Sequence, residues 1–327
     1  MTVTNGILDT VLLLALPASG KSEVRKYMAQ LSARECGEDF HMGPTVQLDD
    51  FPYVHVMRCI DEELQKRGHE RVYFQSSERP FLDPKDWGTL IALINEDHAD
   101  LLAKRIHEPK SAAAHLFQRL DNASKAVGAK PRLAGVAADM KAAIADALEA
   151  ECRKMLDEKN ENSSTDLSGK TTVIEFARGG AHASTLPLKA PFGYQYSLAC
   201  LSDEILRKAK ILYVWVTPEE SRRKNQARAN PNDPGSILHH GVPIEVMMND
   251  YGCDDMEWLE KNSDRPGTVT IRTHGRTYHL PIARFDNRID KTSFIRDDRS
   301  VWKPADVEAV HEGLKGALTR LANYRAE

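Results

Sequence analysis

The chain has 327 residues, of which 41% are hydrophobic and 28% charged, and its net charge is −4. That length buries a large core in one or two domains, and the mildly negative charge supplies no global field toward nucleic acid or a membrane surface. No run approaches the ~18 apolar residues of a membrane span, and the first residues lack the charged start of a secretory signal.

Strands and helices alternate along the chain, which predicts an α/β fold with a parallel sheet covered on both faces. Residues 8–16 read as a buried strand and 22–33 as a helix. A short strand at 45–48 ends on Asp49-Asp50. Residues 172–176 form a third strand, followed by Ala177-Arg178-Gly179-Gly180, and 211–216 a fourth. The next helix opens with Thr217 as its cap, Pro218 at its first position and Glu220 at its third. Residues 268–272 and 277–280 flank His274-Gly275 as a hairpin. Residues 282–285 make a fifth core strand, and 304–324 one amphipathic helix packed on the sheet.

Three parts follow from this pattern: residues 1–57 as the first half of the core, 58–170 as an insertion between strands two and three, and 171–327 as the second half. Leu90, Leu93, Ile94, Leu101 and Leu102 give the insertion one helical apolar face. Met140, Ile144, Leu148 and Met155 give another. The polar run Lys159-Asn160-Glu161-Asn162-Ser163-Ser164-Thr165-Asp166 reads as a mobile loop. The insertion serves as a lid or as a dimer surface. The five cysteines are scattered without metal spacing, which is expected of reduced thiols in the cytoplasm.

The chemistry begins where the first strand runs into Ala15-Leu16-Pro17-Ala18-Ser19-Gly20-Lys21-Ser22. A strand, a tight loop and a helix start place backbone N–H groups, a lysine and a hydroxyl around an anion. The phosphate-loop pattern G-x-x-x-x-G-K-[ST] is met except that Ala15 stands for the first glycine. Pro17, Ala18, Ser19, Gly20, Lys21, Ser22 and Glu23 are the expected nucleotide contacts.

Other strand ends carry polar groups, as ligand sites on open α/β sheets do. Asp49 is favoured as the base that takes a proton from an attacking hydroxyl, with Asp50 beside it as a second carboxylate or a metal ligand. Glu175 sits in an apolar strand and needs a partner. That partner is either a Mg²⁺ shared with Ser22 and Asp50 or an ion pair with Arg178. The run Ser221-Arg222-Arg223-Lys224-Asn225-Gln226-Ala227-Arg228 is read either as a cationic lid over phosphates or as a solvated helix face. In the lid reading, with the lid spanning about residues 217–260, Arg222 and Arg228 act in catalysis and Arg223 holds the nucleotide. Asn230-Pro231-Asn232-Asp233-Pro234-Gly235 breaks the helix as a hinge. His182 and His239-His240 are assigned loop roles.

These patches resemble the small-molecule kinases of the P-loop superfamily, the group of uridine kinase, phosphoribulokinase and nucleotide kinases. Ala15 to Ser22 matches the phosphate loop and Leu48-Asp49-Asp50-Phe51-Pro52-Tyr53 the acidic motif. Phe81-Leu82-Asp83-Pro84-Lys85-Asp86-Trp87 looks like the segment beside the acceptor, and residues 218–228 look like the arginine lid. The resemblance implies strand order 2-3-1-4-5, ATP with Mg²⁺ as cofactors, and transfer to a nucleoside-, nucleotide- or sugar-like acceptor. Tyr53, Arg58, Arg79 and Arg178 are the candidates to line the acceptor site, with His55 nearby. Alternatives are an ATP-dependent switch acting on a protein partner and a toxin-type or nucleic-acid-end kinase, which the net charge disfavours. No membrane partner is expected, and a homodimer stays open.

Overall fold

The computed structural model describes residues 6–228 and 241–325. A six-stranded sheet of order β2-β3-β1-β4-β6-β5 forms its centre. The strands are β1 (Thr10–Leu14), β2 (Thr45–Asp49), β3 (Thr171–Phe176), β4 (Ala209–Trp215), β5 (Thr268–Thr273) and β6 (Arg276–Asp286). All neighbours pair in parallel except β5, which is antiparallel to β6. The chain is α/β as expected, but the order differs from the five-stranded 2-3-1-4-5. The hairpin explains the difference. Its second arm runs straight on into the expected fifth strand as one 11-residue strand, and its first arm adds an edge strand. His274 and Gly275 both have positive φ, 53° and 68°, as a two-residue turn of this hand requires.

The central strands are apolar throughout because both faces are covered. Leu12 and Leu14 of β1 face one layer, with Ile174, Phe176, Ile211 and Tyr213. Val11 and Leu13 face the other, with Val173, Leu212 and Val214. Helix α1 (Lys21–Met28), α2 (Ala33–Phe40) and the C-terminal helix (Pro304–Asn323) cover the second face, the last through Val310, Leu314, Leu318 and Leu321. Edge strand β2 alternates instead, exposing Thr45 and Gln47. Thr217 accepts a bond from the Glu220 N–H at 3.2 Å and so caps the helix at Pro218–Arg228, as its sequence predicts.

Between β2 and β3 lie α3 (Phe51–Lys66), α4 (Asp86–Ala103), α5 (Ala112–Ala126) and α6 (Ala138–Ser164), with a core of their own. Helix α4 joins this core to the sheet. Leu90 and Leu93 pack inward, while Ile91, Ile94 and Leu101 pack on the sheet layer. Leu102 is exposed rather than part of that face. The polar run from Lys159 is not a loop up to Ser164; it is the last turns of α6. The Lys159 ammonium lies 2.5 Å from the buried Asp100 carboxylate and 3.4 Å from Asp97, and Asn160 bonds His107 twice. Those buried carboxylates hold a polar stretch in place that has no apolar stripe of its own. Among the described residues, no helix is long and apolar enough to cross a membrane.

Candidate functional site

The carboxyl ends of β1, β2, β3, β4 and β6 share one edge of the sheet, with Leu14 level with Phe176 and Tyr213, and Trp215 level with Asp286. The connection after β1 leads to one side and that after β4 to the other, the topology at which open sheets form a crevice. A cleft opens there, with about 1090 Å³ of empty space when the open solvent at its mouth is included.

Its polar end is the loop from Pro17 to Ser22, with Glu23, Arg25, Asp49, Asp50 and Glu175. Ala18 and Gly20 take positive φ, 54° and 107°. Gly20 is required for a second reason: a Cβ there would lie 2.5 Å from Thr292 Oγ1. The loop's carbonyls face its supports. Ser221 Oγ donates to Pro17 O at 2.7 Å, Asn287 Nδ2 to Ser19 O at 2.6 Å, and Tyr194 Oη to Ala15 O at 2.9 Å. The amides of Ala18, Ser19 and Gly20 find no protein acceptor among the described residues, which leaves a concave row of donors of the kind that binds anions. Ser19 Oγ is buried and also unbonded. Lys21 lines the cleft, its ammonium 3.4 Å from Ala15 O. The Ala15 methyl packs with the α1 face of the sheet, so the missing glycine removes nothing from the cleft.

Asp49 and Glu175 are level in the β2–β3 pairing, so their side chains stand side by side. Burial, then the carboxylates of Glu175 and Asp50, push the Asp49 carboxyl up to about 8. Its Oδ1 accepts the Phe51 N–H at 2.9 Å and so starts α3. Arg25, one helical turn after Lys21, reaches Gln47 Oε1 at 2.8 Å, Glu175 Oε2 at 3.2 Å and Asp49 Oδ2 at 3.8 Å. Glu175 is therefore neutralised by Arg25 and not by Arg178, although its Oε2 makes no well-aligned hydrogen bond. Asp50 instead pairs with Arg178 at 2.6 Å.

Arg178 is 1% exposed and fully committed. It donates to Ser197 Oγ, Asp50, Ala177 O and Trp87 O, and its guanidinium lies over the Trp87 and Phe176 rings. It positions Asp50 and does not line the cleft, so the expected substrate contact is not made. Tyr53 is likewise buried away from the cleft, donating to Asp97 and accepting from Arg119 at 3.2 Å. Arg79 pairs with Glu245 at 3.0 Å in an outer groove that adjoins the cleft through Pro80, Phe81, Trp87 and Asp250 but does not itself reach the phosphate loop. Glu23 lines the cleft, but its carboxylate is bound by Arg296 at 2.6 Å. Arg58 alone of the four acceptor candidates reaches the cleft, held by Ser77 O at 2.8 Å with its guanidinium 4.0 Å from the Phe74 ring centre.

The cationic run behaves more as a brace than as a lid. Arg222 pairs with Glu219, and Arg223 with Glu220 and Asp290. Neither lines the cleft, because each finds a carboxylate within a turn of its own helix. Lys224, 1% exposed, bonds Asp290 and Thr292, and Thr292 accepts from the same Asn287 amide that holds Ser19 O. The Arg228 side chain, the 230–235 hinge and His239-His240 lie outside the described residues. His182 sits in a loop, its N–H on Met248 O.

The far end of the cleft is aromatic: Phe51, Phe74, Phe81, Trp87 and Tyr251, with Val246 and Asp250. Asp61 of α3 fixes Phe74 by accepting the Val72, Tyr73 and Phe74 amides. The carboxylate of Asp250, 4% exposed, makes no hydrogen bond or ion pair among the described residues, and burial pushes it up to about 7 against the pull of Arg58. Sequence reasoning missed Asp250 and Tyr251, which no motif marks. It also missed Arg25, whose spacing of four from Lys21 placed it on the same helix face.

No family model matches the chain, and neither a curated protein nor a solved structure matches it.

Proposed function

We propose that this chain is a Mg²⁺- and ATP-dependent kinase acting on a small molecule with a hydroxyl or phosphate acceptor. The observation that carries the proposal is one cleft with a donor-lined loop and carboxylates at one end and an aromatic pocket at the other. A switch or ATPase needs only the first end. The aromatic end gives a second molecule somewhere to sit.

In this reading the amides of Ala18, Ser19 and Gly20, with Lys21, bind the β- and γ-phosphates. Ser22 and the poorly bonded Oε2 of Glu175 are the oxygens suited to hold Mg²⁺, with Asp49 or Asp50 reaching it through water. Bound there, the ion neutralises charge on the phosphates. Asp49 accepts the acceptor's hydroxyl proton as its oxygen bonds to the γ-phosphorus and the bond to the β-phosphate oxygen breaks. Asp49 must be ionised to take that proton, a form that a divalent cation bound beside it would favour, and once ionised a carboxylate raised to about 8 is a stronger base than an ordinary one. Phe74, Phe81, Trp87 and Tyr251 pack a flat or apolar acceptor and exclude water from the transfer.

The test is incubation with ATP, Mg²⁺ and a panel of nucleosides, nucleotides and sugars, with products read by mass spectrometry. A phosphorylated acceptor that vanishes with Lys21→Ala supports the kinase. Lys21-dependent ATP hydrolysis with no acceptor phosphorylated points to the switch instead.

A further inference from the structure

Outside the cleft, three side chains of metal-binding type converge on the outer side of the insertion. His55 and Cys59 stand one turn apart on α3, and Glu151 faces them from α6. His55 Nε2 is 2.7 Å from Glu151 Oε1 and 3.6 Å from Cys59 Sγ, and the three ligand atoms lie within 4.8 Å of one another. Among the described residues, no other three histidine, cysteine or carboxylate groups are drawn together this closely.

We propose that His55, Cys59 and Glu151 bind a single zinc-type divalent cation, with a fourth position open to water. The nitrogen-to-sulfur spacing fits. Zinc bonds of about 2.0–2.1 Å to imidazole and 2.3 Å to thiolate, at a tetrahedral angle, put the two atoms about 3.6 Å apart. The carboxylate has to move out by about half an ångström to reach the matching angle, and at this half-exposed position it is free to do so. Imidazole, thiolate and carboxylate together favour zinc over magnesium or calcium. Charge closes as well: the cation, one thiolate and one carboxylate sum to zero beside a neutral imidazole.

On binding, the S–H bond breaks, the sulfur lone pair goes to the metal and the proton leaves to solvent. The proton on His55 moves to Nδ1, leaving Nε2 to ligate. The ion ties α3 to α6. It also fixes the His55 ring, on which Phe51 is stacked at 6.4 Å and 17°. Phe51 lines the cleft, so the site has a mechanical link to it.

The experiment is titration of the chelator-treated full chain with cobalt(II), followed by zinc. A near-ultraviolet thiolate-to-cobalt band at one ion per chain, bleached by zinc, is expected. Cys59→Ser should abolish the band, and His55→Ala and Glu151→Gln should each weaken metal binding at least tenfold. Absence of the band in wild-type protein overturns the proposal, as does a band that survives Cys59→Ser. The wild-type result decides even if a variant fails to fold, and it does not depend on ATP binding.

Discussion

Arg25 on α1 stands 3.2 Å from Glu175 at the end of β3, with its guanidinium also 3.8 Å from Asp49. A side-chain cation thus occupies the carboxylate pair that the proposed function shares with Mg²⁺. Removing it leaves two adjacent carboxylates that need an ion more. Arg25→Met should lower thermal stability without Mg²⁺ and regain most of it when Mg²⁺ is added, with a larger Mg²⁺ response than wild type. Thermal melts of both proteins with and without Mg²⁺ measure this. Equal responses would show that Arg25 and the ion do not share the pair.

Asp49 makes stability depend on pH in a defined direction. Its carboxyl is raised to about 8 in the folded chain, against an ordinary value near 4, so the folded state holds a proton that the unfolded state gives up. Its contribution is full below about pH 4 and is lost as pH rises through about 8. Asp49→Asn removes that titration, so its stability should fall less than wild type between pH 5 and 8.5, as urea unfolding across that range would show. In the kinase reading the same substitution lowers kcat by ~10²-fold or more while ATP still binds.

Arg178 and Asp50 form a buried ion pair 2.6 Å apart. Taking out one member leaves the other a largely buried charge without its partner. Arg178→Met should cost about 3–5 kcal/mol in chemical denaturation. A loss below about 1 kcal/mol would mean that the Ser197 and Trp87 contacts carry little and that Asp50 is solvated.

Asn287 spans Ser19 O at 2.6 Å and Thr292 Oγ1 at 3.0 Å, and so holds the loop's carbonyl outward and its amides toward the cleft. Asn287→Ala should cost about 1–3 kcal/mol of stability from the unpaired buried groups. ATP should bind about tenfold more weakly, about 1.4 kcal/mol, because the donor row is no longer preset. Calorimetric titration of the variant gives both the affinity and the heat.

The features legible in the sequence are those with local causes. An apolar run followed by Gly-Lys-Ser, carboxylates at strand ends, the His274-Gly275 turn and the Thr217 cap each lie within a few residues of what produces them. What stayed hidden depends on distant partners. Arg178 looked available for substrate because Asp50 and Trp87 lie far from it in the chain. Lys159 to Ser164 looked like a loop because the carboxylates that anchor Lys159 belong to α4. Arg223 and Lys224 looked like part of a lid, yet Asp290, more than sixty residues on, claims them. The aromatic end of the cleft is assembled from four separate segments, and no spacing marks such a set.

The most direct measurement is calorimetric titration of wild-type and Lys21→Ala protein with ATP and Mg²⁺. One-to-one binding to the wild type, lost in Lys21→Ala and strengthened by an acceptor from the nucleoside and sugar panel, is the predicted result. No binding of ATP to the wild-type chain would contradict the assignment of the Pro17–Ser22 loop, and the kinase reading with it.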